Sequence, residues 1–389
     1  MQRLIFIIIF FALSCSGRAQ SIAGTNIGHW YDPASEVQFR WKIVSSVDSI
    51  YAYFQLSLSG QLSTSDYQLI WETRESYGQR VGDALNQEPT LIQTSPKTLD
   101  GKFVFKKTEK PWLLTVKVQR KESSNGLLFF HQIEPNYPVN GFLQNDQILY
   151  DNTVSMGQSI EIVHPGAPAS VTTVFRYRSS FPTASPPFVE KDNPVDPILL
   201  PDSTFRLSNK QAFRVSSPGL YLFQVDTNSS KGFCYYVGDP GYPKYSQLKD
   251  LAPPIVYVST KEEFDKVMLA GNDKAKFDQV ILDITEDKER AKNFMRSYFR
   301  RVELANRYFS SYKAGWKTDR GMIFTIFGPP DEVNRTSNNE VWNYKSHQVR
   351  FTFVRSPSLF DPHNYVLVRD KRFGEKWFST IDLWRKSRF

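Results

Sequence analysis

With 389 residues the chain is long enough for two or three separately packed cores. Its two cysteines, Cys15 and Cys234, exclude a disulfide-stapled fold and a cysteine-rich metal framework, so stability has to come from burial. The formal charge of +8 fits a solvated, mildly basic surface and leaves anionic lipid surfaces open as partners.

The first twenty residues read as a leader. Arg3 is the only charge before an apolar run from Leu4 to Leu13. That run is too short to cross a bilayer and has the form of a signal-peptide core. Two cleavages compete. Ala12-Leu13-Ser14-Cys15 resembles a loose lipobox, which would place cleavage before Cys15 and a lipid anchor on it. Gly17-Arg18-Ala19 would instead leave Gln20 first. Residues 1–19 are therefore expected to direct export, giving an outer-membrane lipoprotein or a periplasmic protein. An exported chain has no nucleic acid to meet, whatever its charge.

Residues 20–138 are expected to form a β-sandwich. Val37–Ile43, Tyr51–Leu58, Tyr67–Trp71, Phe103–Phe105, Trp112–Val118 and Leu127–Ile133 are short apolar or alternating runs between turn signals. A second sandwich is expected over 139–240, from Gln147–Tyr150, Ser159–Val163, Thr172–Tyr177 and Gly219–Val225. Both are expected to be antiparallel and Ig-like. Three prolines make Phe181–Phe188 a loop. Cys234 sits in an apolar strand-like run, as a buried thiol would. The 30 Phe, 19 Tyr and 8 Trp suit pleated sheets, and would equally suit a glycan-stacking platform.

The proline-punctuated stretch 241–254 reads as a linker, and then the period changes. Lys261–Leu269 is predicted helical, capped by Thr260 with Glu263 at the capping-box position. The longest helix is predicted from Glu286 to Tyr312, with Thr285 as its cap and an apolar stripe of Phe294, Tyr298, Val302, Ala305 and Phe309. Strands are expected at Met322–Phe327, Val349–Val354 and Tyr365–Val368. Residues 255–389 thus have both layers of an α+β domain and are expected to close a core by themselves. Trp377, Phe378, Ile381, Leu383 and Trp384 are too apolar for a free tail.

One string stands out. Ala305-Asn306 is followed by Gly315-Trp316-Lys317-Thr318-Asp319-Arg320-Gly321, an apolar segment, Gly328-Pro329-Pro330-Asp331, and Trp342-Asn343-Tyr344. Over roughly Ile255 to Asp370 this pattern resembles the GWxTD domain, a family known mainly from exported proteins of Bacteroidota. The order of elements also resembles a small accessory lipoprotein of the outer-membrane barrel-assembly machinery, which implies helices on an antiparallel sheet. Physically, the string reads as a helix-to-strand corner. Gly315 would end the helix at positive φ, Trp316 would plug the gap to the sheet, and Thr318 and Asp319 would bond nearby backbone. Arg320 would pair with Asp319 or Asp331, Gly321 would start a strand, and Gly328-Pro329-Pro330 would break it.

No catalytic constellation is legible. His29, His131, His164, His347 and His363 lack metal-ligand spacing, and neither a nucleophile elbow nor a phosphate-binding glycine loop occurs. No metal or cofactor is called for. Three readings follow: a non-enzymatic scaffold in a complex of envelope proteins, a carbohydrate-binding or carbohydrate-active envelope protein, or an enzyme of unknown class with its site at the Thr318-Asp319-Arg320 corner, where Asp319, Arg320 and Asp331 would line a polar pocket. The first two part on whether the Trp and Tyr side chains are buried or form an exposed row.

Overall fold

The computed structural model describes residues 20–167, 170–178, 181–190 and 199–388. Residues 1–19, where a leader and Cys15 lipidation are expected, lie outside them. The first module contains Val37–Ser45 (β1), Ser49–Leu58 (β2), Tyr67–Arg74 (β3), Asp83–Ala84 (β4), Thr90–Thr94 (β5), Thr98–Lys106 (β6), Trp112–Arg120 (β7) and Gly126–Ile133 (β8). They make two four-stranded antiparallel sheets, β1-β2-β6-β5 and β4-β3-β7-β8. Strand alternation turns Phe39, Phe54 and Phe103 of one sheet toward Trp71 and Phe129 of the other, with ring centroids 4.8–5.2 Å apart in three of these pairs. β5 was illegible in the sequence because all five of its residues are exposed, which leaves no burial pattern to read.

The second module runs through Phe142–Gln144 (β9), Thr153–Ser155 (β10), Ser159–Val163 (β11), Val171–Tyr177 (β12), Ser203–Ser208 (β13), Ala212–Arg214 (β14), Gly219–Gln224 (β15) and Phe233–Gly238 (β16). Its sheets are β10-β16-β15-β12-β13 and β14-β11-β9, with only the β10–β16 pair parallel among the described strands. Gln147–Tyr150 is not a strand. It makes a single bridge, Ile148 to Gln144, because Asn145 closes a tight turn by accepting the Gln147 N–H.

The third module mixes helices with one sheet. Its helices are Leu248–Leu251 (α1), Lys261–Ala270 (α2), Lys274–Thr285 (α3), Lys288–Phe309 (α4), Asp319–Phe327 (α5) and Phe373–Arg385 (α6). Its strands are Glu332–Arg335 (β17), Asn339–Tyr344 (β18), Val349–Arg355 (β19) and Tyr365–Leu367 (β20), antiparallel in sequence order. The Thr260–Glu263 capping box on α2 forms in both directions. Two expectations are corrected. Thr285 ends α3 instead of capping α4; Glu286 takes a left-handed conformation between the two helices, and Asp287 caps α4 by accepting the Arg290 N–H. Met322–Phe327 belongs to helix α5 and not to a strand. Every residue from Gly321 to Phe327 is buried, so the run shows no amphipathic period, and a short, wholly apolar segment does not distinguish helix from strand.

The core of this module draws on more than residues 255–389. Ile22, Ile27, Tyr31, Tyr242 and Ala252 are buried in the same apolar cluster as Phe309, Trp316, Trp342 and Trp384. The segment from Thr25 to Tyr31 lies along β17: Ile27 N–H donates to the Val333 carbonyl at 2.8 Å, and Val333 N–H donates to Asn26 Oδ1 at 2.9 Å. On its other side, His29 and Trp30 both reach the Leu128 carbonyl of β8. This strap therefore joins the first module to the third. The tail packs back as α6, with Trp377 and Trp384 buried and the Trp384 indole N–H donating to the Ile326 carbonyl at 2.9 Å.

Candidate functional site

The corner between α4 and α5 is tied together by backbone contacts that a side chain would obstruct. Gly315 lies against the Ala305 carbonyl of α4, and Gly321 lies against the Gly315 carbonyl; a Cβ on either glycine would overlap that oxygen. Gly315 therefore serves close approach and not the expected positive-φ helix end, since α4 stops at Phe309 and Gly315 opens a short 3-10 turn. Gly321 is inside α5 and starts no strand. Thr318 caps α5: its hydroxyl accepts the Gly321 N–H at 3.0 Å and donates to the Gly315 carbonyl at 2.7 Å. No imidazole is among its partners.

Trp316 is 1% exposed. Its backbone N–H donates to Asn306 Oδ1 and its indole N–H to the Tyr245 hydroxyl at 3.1 Å. Asn306 in turn donates to the Pro243 carbonyl, so the stretch 241–254 is tied to the corner. Gly328 ends α5 at φ +87°, with the Arg301 guanidinium where its side chain would be. The Tyr344 hydroxyl donates to the Gly328 carbonyl at 2.8 Å. Pro329 and Pro330 lead into β17, and Pro330 is buried.

The charged residues of the motif part company. Asp319 accepts Arg369 Nη2 at 2.6 Å and the Leu367 N–H at 2.8 Å, which fastens the start of α5 to β20. Arg320, one residue on, points to a different side of the helix, as consecutive helical residues must. Asp331 lies beyond Pro330 and accepts the Lys345 N–H at the turn between β18 and β19. The expected pairing of Arg320 with Asp319 or Asp331 does not occur, and the three do not line one pocket. Thr318 and Asp319 do border a small cavity of about 120 Å³ with Arg369 and Tyr365, while Arg320 and Asp331 stay outside it.

Arg320 instead joins a buried cluster around Glu340. Glu340 is 0% exposed. It accepts the Tyr31 hydroxyl at 2.9 Å, the Trp342 indole N–H at 2.7 Å and Arg335 Nε at 2.7 Å, and Arg320 Nη1 is 3.8 Å away. Arg320 stacks over Tyr365 at 4.6 Å and Arg335 over Trp30 at 4.7 Å. Burial pushes the Glu340 carboxyl up, but Arg335 and Arg320, with the Trp342 and Tyr31 hydrogen bonds, outweigh it and hold the pKa below its ordinary value. Burial, with the Glu340 carboxylate beside it, raises the Tyr31 hydroxyl pKa, so it stays protonated and donates. This cluster escaped sequence reasoning. A signal was present: Glu340 shares the alternating face of Trp342 and Tyr344, so a carboxylate on a buried strand face called for cationic partners.

Among the described residues no three His, Cys, Asp or Glu side chains converge as a metal site would require. Among the described residues every Trp and Tyr side chain is buried or half-buried. Comparison with known families matches residues 219–386 to the GWxTD domain. That match begins at β15, upstream of Ile255. No curated protein matches the chain.

Proposed function

The chain is a GWxTD domain-containing protein, and from that premise we propose that it is a non-enzymatic scaffold of the cell envelope, in which the motif is architectural. The observation that carries this reading is the internal use of the motif's polar groups. Thr318 is spent on a cap, Asp319 on Arg369 and the Leu367 N–H, Arg320 on the Tyr31–Glu340 cluster, and Asp331 on a hairpin N–H. A catalytic group needs a free reacting atom within reach of substrate, and these groups spend their hydrogen bonds inside the fold, Thr318 and Asp319 included although they border the small cavity. The burial of Trp and Tyr favours the scaffold over a glycan platform, because stacking needs an open aromatic face.

The proposal includes the leader, export as a lipoprotein anchored through Cys15 or as a periplasmic protein, and Ig-like character for the two β modules. Antiparallel sheets packed face to face support that last part. Partners would be envelope proteins that bind the rigid outer faces. The test is in-cell crosslinking of the full chain, followed by mass spectrometry of both the adduct and the mature N-terminus. One envelope protein recovered at fixed stoichiometry, with cleavage before Cys15 or Gln20, is the expected result. A chain that retains Met1 in the cytoplasm, or that is always recovered alone, defeats the reading.

A further inference from the structure

The second and third modules leave an open cavity of about 290 Å³ between them, and every charged side chain that lines it is cationic. From the second module come Arg176 on β12 and Arg178 just past its end, two residues apart and so on one side of the strand. From the third come Lys313, in the loop after α4, and Lys317, at the end of the 3-10 turn Gly315–Lys317. Lys317 stands between Trp316 and Thr318 of the corner; those two are buried in the fold, and Lys317 lines the cavity. Among the described residues no Asp or Glu lines it.

Two of the four cations already have work within the fold. Arg176 pairs with Asp202 and donates to the Pro218 carbonyl, and Lys313 donates to the Pro182 carbonyl at 2.9 Å. The other two differ. Among the described residues, neither the Lys317 ammonium nor the Arg178 guanidinium has a hydrogen bond or an ion pair. Arg178 is exposed, but Lys317 is half-buried, with its ammonium over the Trp316 ring at 5.6 Å. Burial lowers the Lys317 pKa, the mark of a charge taken from water without an opposite charge to replace it. An anion held in the cavity would supply that charge, and would do so between two cations that have donors to spare.

The arrangement favours phosphate over a carboxylate. A carboxylate offers two oxygens in one plane, whereas a phosphate monoester offers three acceptor oxygens and about two negative charges, enough to meet cations on facing walls. The space exceeds a bare phosphate, since one water needs on the order of 10–15 Å³ by the same measure. The organic part of an ester would lie against Phe181 and Pro218.

We propose that this junction binds the phosphate group of a phosphomonoester, with Lys317 Nζ and the Arg178 guanidinium donating to its oxygens and Arg176 and Lys313 adding positive charge beside it. A soluble ester and a lipid headgroup carry the same group. Because the walls belong to two modules, an occupied site would also hold those modules together.

The test uses the chain from Gln20 onward. Glycerol 3-phosphate is titrated by calorimetry and thermal shift, against glycerol and chloride at matched ionic strength. In parallel, the protein is floated with vesicles of phosphatidylcholine, alone or mixed with phosphatidic acid. The expected result is saturable one-to-one binding of glycerol 3-phosphate with a raised Tm, which assigns a soluble ester, or flotation only with phosphatidic acid, which assigns a headgroup. Lys317→Gln and Arg178→Gln should each weaken that binding about tenfold or more, the loss expected for a hydrogen bond between charged groups. Arg296→Gln, at an exposed position on α4, should leave it unchanged. Should Lys317→Gln fail to fold, Arg178→Gln carries the same test from an exposed position. Failure of both probes to bind, binding unchanged in the cavity variants, or an equal loss in Arg296→Gln overturns the proposal.

Discussion

Replacing Glu340 with Gln tests whether the buried cluster locks the strap of residues 20–31 onto the third module. In the native protein the carboxylate meets two neutral donors, Tyr31 and Trp342, and two guanidinium groups, Arg335 and Arg320. A glutamine carbonyl oxygen can still accept from Tyr31 and Trp342, which both bond Oε1. Its amide nitrogen then occupies the Oε2 position, 2.7 Å from Arg335 Nε, donor against donor. Both guanidinium groups, with side chains about 15% exposed, lose their counter-charge. Removing one partner of a buried ion pair costs ~3–5 kcal/mol, and we expect a loss in that range. Tyr31→Phe removes the hydrogen bond donated to Glu340 and those accepted from Arg335 Nη2 at 2.9 Å and Arg320 Nη1 at 3.4 Å, and should cost at least the ~1.5–3 kcal/mol of one hydrogen bond to a charged group. The two should not add, because both act on the same contact. The assay is urea unfolding of the chain from Gln20 onward for the wild type, each single variant and the pair. Thermolysin cleavage within the strap serves as a second readout, and Glu340→Gln should speed it. An unchanged urea midpoint, or strictly additive losses with an equally protected strap, would refute the argument.

Three further outcomes follow from the same geometry. Trp316→Ala should cost ~3–5 kcal/mol in urea unfolding, because the ring is buried and its N–H is bonded to Tyr245; an unchanged midpoint would point to a binding role instead. Truncation before Phe373 removes Trp377 and Trp384 from the core, and the shortened chain should lose cooperative unfolding of the third module in calorimetry; survival of that transition would show that α6 only leans on the fold. Stability should also fall on mild acidification. Burial lowers the His29 pKa to about 4, and burial with Arg335 and Arg355 lowers that of His131 to about 3, against ~6.5 in the unfolded chain. The unfolded state therefore binds the extra protons. The stability these rings contribute is complete above pH ~6.5 and is lost as the pH falls toward their folded values, at up to ~1.4 kcal/mol per pH unit for each ring. A flat stability profile between pH 7 and 5 would contradict the burial of both.

Local rules acting on local sequence made much of this protein legible. β1, β2, β3, β7 and β8 are short apolar or alternating runs between turn signals, as strands burying one face or both should be. The α2 capping box and the apolar stripe of α4 need only neighbours three or four residues away. The GWxTD string identified the domain because its glycines, threonine and tryptophan act within one tight corner. The secondary structure of Met322–Phe327 was not decided locally. Burial on all sides erased its period, and the Thr318 cap with the close approach at Gly321 makes it a helix. Tertiary structure alone decided where the charges went. Asp319 found Arg369 some fifty residues on, and Glu340 found Tyr31 some three hundred residues back. Such pairings depend on which surfaces the folded modules bring together, and no spacing in the chain encodes them. The strap arises in the same way, from packing between segments that are remote in sequence and unremarkable when read alone.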